Sequence, residues 1–235
     1  MINFIKSIHD LLISKITLIS STNIEKKFTK IPYYRINIVK KIKLSHIKYF
    51  LPTKHIYSKR YFIWNSNWYK KKISIKKYKN YNLNYYSVFQ IFNEKIDYKK
   101  SKEYKDKLYE LKKNGVTARG FKSIKDLDYF FDGLIKLHNN MKRSGYKSQK
   151  RINKNKNDEI GVFIGAKGEI IKAQDKYGGT HRFALAKILK LRDIYINVRA
   201  VDQKFLKKNI YKNMSLENNE LILIKKISLF LNKYK

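Results

Sequence analysis

Apolar residues fall at every second position around Tyr34, Ile36 and Ile38, and shift to a spacing of three and four beyond Tyr81. The first pattern predicts a strand and the second a series of helices. Val88, Ile91 and Phe92 suit one face of a first helix, and Tyr104, Leu108 and Leu111 one face of a second that stops at Asn114-Gly115. Ser123 precedes an acidic first turn, Asp126 and Asp128, and so caps a third helix. Its broad apolar stripe, Leu127, Phe130, Phe131, Leu134, Ile135 and Leu137, marks it as core, and Gly145 ends it.

After a polar link, Ile160, Val162 and Ile164 alternate as a strand, and Gly165-Ala166-Lys167-Gly168 is short enough for a hairpin turn. On the return strand the two-residue period puts Glu169, Ile171, Ala173 and Asp175 on one side. Tyr177-Gly178-Gly179 then leads into a helix with Ala184, Leu185, Ile188 and Leu189 inward, and Asp193 opens a last strand through Ile194, Ile196 and Val198. Beyond Ser215 a final helix presents Leu221, Ile224, Ile227 and Leu231 on one side. Before residue 80, short apolar runs alternate with basic clusters (Lys40-Lys41, Lys70-Lys71-Lys72), and Pro32 and Pro52 break any helix. Trp64 and Trp68 flank a turn and are read as aromatic anchors packing a small subdomain, with base stacking as the alternative. The expected organisation is a basic N-terminal extension or subdomain (1–80), an α+β domain (81–210) and a C-terminal amphipathic helix (211–235).

Composition narrows the chemistry. With 235 residues, 43% of them hydrophobic, the chain can fill a core, and without cysteine it has no disulfide, thiolate zinc site or thiol nucleophile. The run from Ile2 to Ile19 is interrupted by Lys6, His9, Asp10 and Lys15, so no membrane span is expected and the chain reads as cytoplasmic. The formal charge of +36 admits two accounts. It fits a polyanionic partner such as nucleic acid, because clustered cations release counterions. It also fits drift of solvated positions toward Lys, since Arg, the usual bidentate phosphate ligand, occurs at only eight positions.

The Gly178-Gly179 pair between a strand and a helix has a specific physical use. Without β-carbons the backbone can approach a phosphate closely, and the helix N-terminus offers unpaired N–H groups and partial positive charge. Thr180 is expected to cap the helix, and His181 and Arg182 to supply donor side chains, Arg182 as a bidentate fork.

These residues also carry a family likeness. The run Lys176-Tyr177-Gly178-Gly179-Thr180-His181-Arg182-Phe183-Ala184-Leu185-Ala186-Lys187 resembles the Gly-rich loop and helix of the ParB/sulfiredoxin superfamily, which read Gly-Glu-Arg-Arg in ParB and Gly-Gly-Cys-His-Arg in sulfiredoxin. The order of elements is similar too, with Gly145 to Gln149 as the Gly-Tyr-Lys-Ser-Gln element of ParB-like proteins. The likeness is strong from Gly145 to Val201, moderate from Trp64 and undetectable before it. It implies a small mixed β-sheet wrapped by helices, and a nucleotide whose phosphates sit in the loop: CTP in ParB, ATP in sulfiredoxin, ADP in a related free-serine kinase. Gly178, Gly179, Thr180, His181 and Arg182 become the phosphate contacts, with Lys147, Ser148 and Gln149 lining the pocket opposite. Thr180 stands where sulfiredoxin has its nucleophilic cysteine, which excludes that chemistry, and ParB's second arginine and following helix-turn-helix are absent.

Phosphoryl transfer would need charge neutralisation, commonly by Mg, and Glu169 and Asp175 are the candidate metal ligands or proton acceptors. Two function classes follow. One is a nucleotide-binding phosphotransferase acting on a small hydroxyl compound or surface-polysaccharide precursor. The other is a ParB-like DNA-binding protein or nuclease.

Overall fold

A computed structural model of the chain describes residues 36–52, 62–64, 67–153, 158–174, 178–210 and 220–235. Within them seven strands form one mixed sheet. β1 (Val39–Lys43), β2 (Ile47–Phe50), β3 (Ile63–Trp64) and β4 (Ile73–Ser74) precede residue 80; β5 (Ile160–Ile164), β6 (Ile170–Lys172) and β7 (Asp193–Asp202) follow it. Their order is β1-β7-β5-β6-β2-β4, with β3 on β7 beyond the stretch that β1 occupies. The boundary expected near residue 80 therefore runs through a shared sheet. Of the strand expected around Tyr34, only Ile36 and Ile38 fall within the described residues, and both are buried.

A short 3-10 turn, Leu44–His46, links β1 to β2, which stand four strand positions apart in the sheet order. Four spacings of a flat sheet amount to roughly 19 Å, whereas the step from Lys43 to Ile47 reaches at most about 14 Å. The sheet must curl to bring these strands together.

The helices are α1 (Leu83–Phe92), α2 (Lys102–Asn114), α3 (Ile124–Ser144), α4 (Gln149–Asn153), α5 (Thr180–Ile188), α6 (Gln203–Asn209) and α7 (Glu220–Leu231). They flank the sheet, giving a mixed α/β architecture. Among the described residues no helix is long and apolar enough to cross a membrane. Local signals decide the boundaries. α2 ends at Gly115, and α3 opens on a reciprocal box in which Ser123 Oγ accepts the Asp126 N–H while Asp126 accepts the Ser123 N–H. In α7 the buried row is Leu223, Ile227 and Leu231, and Leu221 is 68% exposed. Two residues turn a helix by about 200°, which takes Leu221 away from that row.

β5 is buried along its whole length, because the sheet is covered on both faces. Val162 and Ile164 join the main core under the helices. Phe163, Ile171 and Ala200 point the other way, into a small cluster built on Trp64 and Trp68. The two indoles meet edge to face at 5.2 Å, and Trp64 lies 4.7 Å from Phe163. Each tryptophan is 1% exposed, so neither can serve as a platform for bases. Trp64→Ala should cost about 3–5 kcal/mol in urea unfolding, the usual effect of emptying a large aromatic site. A loss under 1 kcal/mol would contradict its role as the second core.

Candidate functional site

The residues before α5 set the geometry. Gly178 and Gly179 both have left-handed backbone, with φ of 85° and 77°. A β-carbon on Gly179 would stand 2.7 Å from the Ile160 Cα, so only glycine lets the chain turn this close to β5. Lys172, buried at the end of β6, donates to the carbonyls of Ala173 and Gly178 and ties the loop down from within. Gly179 is the N-cap, and among the described residues no side chain caps the helix. Thr180 is thus the first helical residue and not its cap as expected.

α5 opens onto a cleft of about 1330 Å³. One wall is the Gly178–Arg182 segment with Asp158 and Gln149; the other is α3, with Tyr129, Phe130, Gly133, Leu134 and Leu137. By helix geometry the amides of Thr180, His181 and Arg182 have no acceptor within α5. The Thr180 hydroxyl lies in the same lining, 6% exposed as a residue, and among the described residues Oγ1 has no hydrogen-bond partner. Leaving a buried hydroxyl unpaired costs about 1–3 kcal/mol, which a bound acceptor or donor would relieve.

Arg182 is not the free fork that its position predicts. Its Nη2 donates to the Asp158 carbonyl and lies 3.2 Å from that residue's carboxylate, while Nη1 stands 4.0 Å from Glu159. Glu159, which as an acidic residue just before a strand would ordinarily cap or be solvated, is fully buried. It accepts the Gln149 N–H at 2.6 Å and the Tyr146 hydroxyl at 3.2 Å. Burial raises its pKa above the usual 4.5, against the opposing pull of the Gln149 N–H and Arg182. Arg182 therefore clamps the start of β5 to α5.

His181 is turned inward as well. Its Nε2 meets Glu103 Oε2 at 2.8 Å, and its ring packs edge-on against Phe130. Glu103, in the first turn of α2, is 0% exposed. Arg119 approaches it at 3.6 Å and lies 4.9 Å from the Phe130 ring centre. With its amide correctly oriented, Asn84 donates to Glu103 Oε1 at 3.1 Å and accepts from Arg119 at 3.0 Å.

Several expected members lie elsewhere. Glu169 accepts Lys72 at 2.9 Å and the Lys167 N–H at 3.0 Å within the hairpin. Burial pushes its pKa up, but the Lys72 bond and the local N–H groups outweigh that and hold it below 4.5. The strand period puts Glu169 on the tryptophan side with Ile171 and Ala173, so the sheet separates it from the cleft. Asp175 lies outside the described residues. Among the described residues no group of three acidic or imidazole side chains could hold a metal. The cleft's own carboxylates are committed, Asp126 to the α3 cap and Asp158 to Arg182, so these residues do not fit a Mg site. Gln149 does line the cleft, Lys147 is exposed outside the lining, and Ser148 is buried with its carbonyl accepting the Arg151 N–H.

Glu103, Arg119, Asn84 and Gly133 are the members that sequence reasoning missed. Only Gly133 left a signal, as a glycine in the middle of a strongly periodic helix. Compared with known protein families, curated proteins and solved structures, the chain matches none.

Removing Arg182 would leave Glu159 buried without its cation. Arg182→Ala should cost about 3 kcal/mol at neutral pH. Because Glu159 titrates above 4.5 when folded, its ionisation already lowers stability as pH rises through the folded value, and the variant raises that value further. The loss should therefore be fullest at pH 7–8 and shrink below about pH 4.5, as urea unfolding across pH would show. A loss independent of pH would rule out the clamp.

Proposed function

We propose that the cleft binds a nucleotide, with its phosphates on the α5 N-terminus and its base along the apolar face of α3. The likeness of the Gly178–Arg182 loop to the ParB/sulfiredoxin superfamily, whose fold binds nucleotides, supports this. The observation that carries it is Thr180 Oγ1, buried in the first turn of α5 and without a hydrogen-bond partner among the described residues, in a segment that lines the cleft. Phe130 and Leu137, with the edge of the nearly buried Leu134, supply apolar lining for a base. Anion recognition rests on oriented amides, the hydroxyl and Arg119, with Arg182 and Glu159 holding the helix in place. The phosphotransferase reading and the DNA-binding alternative both start from this phosphate site. The buried tryptophans favour the small ligand, because they cannot stack on exposed bases.

Gly133 provides the test. A β-carbon there would meet nothing within 4 Å, and Gly133 lines the cleft, so a side chain can be added without crowding the helix backbone. Gly133→Ala should raise stability by about 0.5–1 kcal/mol, the ordinary helix gain, and leave binding intact. Gly133→Phe should fill the cleft. In thermal unfolding with ATP, ADP or CTP, at least one nucleotide should stabilise the parent and Gly133→Ala by about 2.7 kcal/mol at a hundredfold excess over Kd, and should leave Gly133→Phe unmoved. No stabilisation of the parent by any of the three, or an equal gain for Gly133→Phe, would remove the cleft as the site.

A further inference from the structure

We infer that the ligand of the cleft is a dinucleotide, two nucleosides joined through one phosphodiester that sits on the first turn of α5. This rests on the nucleotide reading above and names the class of nucleotide. The two residues after Thr180 point to different ends of the cleft. His181 turns to Glu103 and to the Phe130 ring, and Phe130 in turn meets Phe121 at 5.3 Å and the Arg119 guanidinium at 4.9 Å. Arg182 turns to Asp158 and to Glu159, whose carboxylate holds the Gln149 N–H at the head of α4. Ile152, on the same short helix, lines the cleft and is 54% exposed. The cleft therefore continues on both sides of the α5 N-terminus. On the opposite wall, Leu137 follows Phe130 by two helical turns, about 10 Å along α3. The volume of about 1330 Å³ is above the roughly 300–1,000 Å³ of ordinary small-ligand sites, which leaves room for a second nucleoside.

The charges set the number of phosphates. A diester carries one negative charge, whereas a terminal phosphate carries about two. At the Arg182 end the Asp158 carboxylate, its side chain 66% exposed, stands over the loop: a β-carbon on Gly178 would lie 3.3 Å from its Oδ1. A row of phosphates extended that way would meet this carboxylate, and Arg182 is already paired with it. At the other end Arg119 shares its charge with the buried Glu103, 3.6 Å away. This arrangement suits a single charge on the α5 amides and Thr180 Oγ1, with an uncharged group on either side. One base then lies against Phe130, and the second against Leu137 and Ile152.

Kd should be measured by calorimetry on the full chain at about 0.3 M salt, where general attraction of anions to a basic protein is weakened. The ligands are ApA and CpC, each a pair of nucleosides joined by one phosphodiester, beside the mono- and triphosphates of the same nucleosides. For at least one base the dinucleotide should bind about tenfold more tightly than either, within the range for one added base contact. Ile152→Ser should weaken the dinucleotide about fivefold, for partial loss of an isoleucine's burial, and leave the monophosphate within about twofold. Asp158→Asn, which keeps the carbonyl that Arg182 binds, should narrow the gap between triphosphate and dinucleotide by about threefold or more. The comparison of ligands on the parent needs no variant, so misfolding of a variant cannot hide the answer. A mono- or triphosphate that matches the dinucleotide, or Ile152→Ser weakening both alike, would overturn the inference and leave the nucleotide site standing. An oligonucleotide that binds the parent more tightly than ApA or CpC and fails to bind Gly133→Phe would overturn it in favour of a nucleic-acid strand. No binding by any of these ligands would remove both.

Discussion

The contact between Gly179 and Ile160 fixes everything around the cleft. With 2.7 Å between the Ile160 Cα and the place of a β-carbon, α5 can begin only where a glycine turns against β5. From that seat the helix has its direction, and its residues fall in order at about 100° steps. Thr180 reaches the cleft, His181 faces α2 and Arg182 turns back to β5. A bulkier residue at 179 would have to shift the helix and would pull all of these partners apart together.

Buried charge then makes that seat specific. Lys172, Arg182, Glu159 and Glu103 are nearly or fully buried, and each is tied to named polar partners. In a medium of low dielectric these groups contribute little net stability when well paired and cost several kcal/mol when a partner is lost. They therefore act on arrangement more than on stability. A slip of α5 by one residue would leave a carboxylate and a guanidinium buried alone, whereas apolar packing would tolerate such a slip at lower cost. The Lys72–Glu169 pair, a fifth exposed at most on each side chain, does the same for the hairpin on the opposite face.

What could be read from the sequence follows the range of the forces involved. Caps, the β5–β6 hairpin and the strand-to-helix loop are encoded within a few residues, so Ser123, Gly145, Gly165 to Gly168 and Gly178-Gly179 were legible. The joining of β1–β4 to β5–β7 depends on pairing across more than a hundred residues, and no local pattern marks it. Roles of polar side chains were misread for the same reason. Arg182 and His181 look like free donors until Glu159 and Glu103 are brought to them, the second from 78 residues away. Glu169 looked available because the period gave its face but could not say which face the helices would cover.

The balance of charge in the cleft bears on how an anion could be held there. Arg119 and Arg182 in the lining face Asp126 and Asp158, so the formal side-chain charge cancels apart from His181. The chain's total of +36 is spread over its length, and at physiological salt a charge is screened within about 8 Å. Such a field can enrich nucleotides near the surface, but it is too diffuse to distinguish one pocket from another. Fixed dipoles differ in kind: the α5 amides are already oriented, cost nothing to reorganise and act over the few ångströms at which a phosphate would sit. Selectivity in the proposed site would therefore follow from helix direction, and so from Gly179, more than from the abundance of lysine.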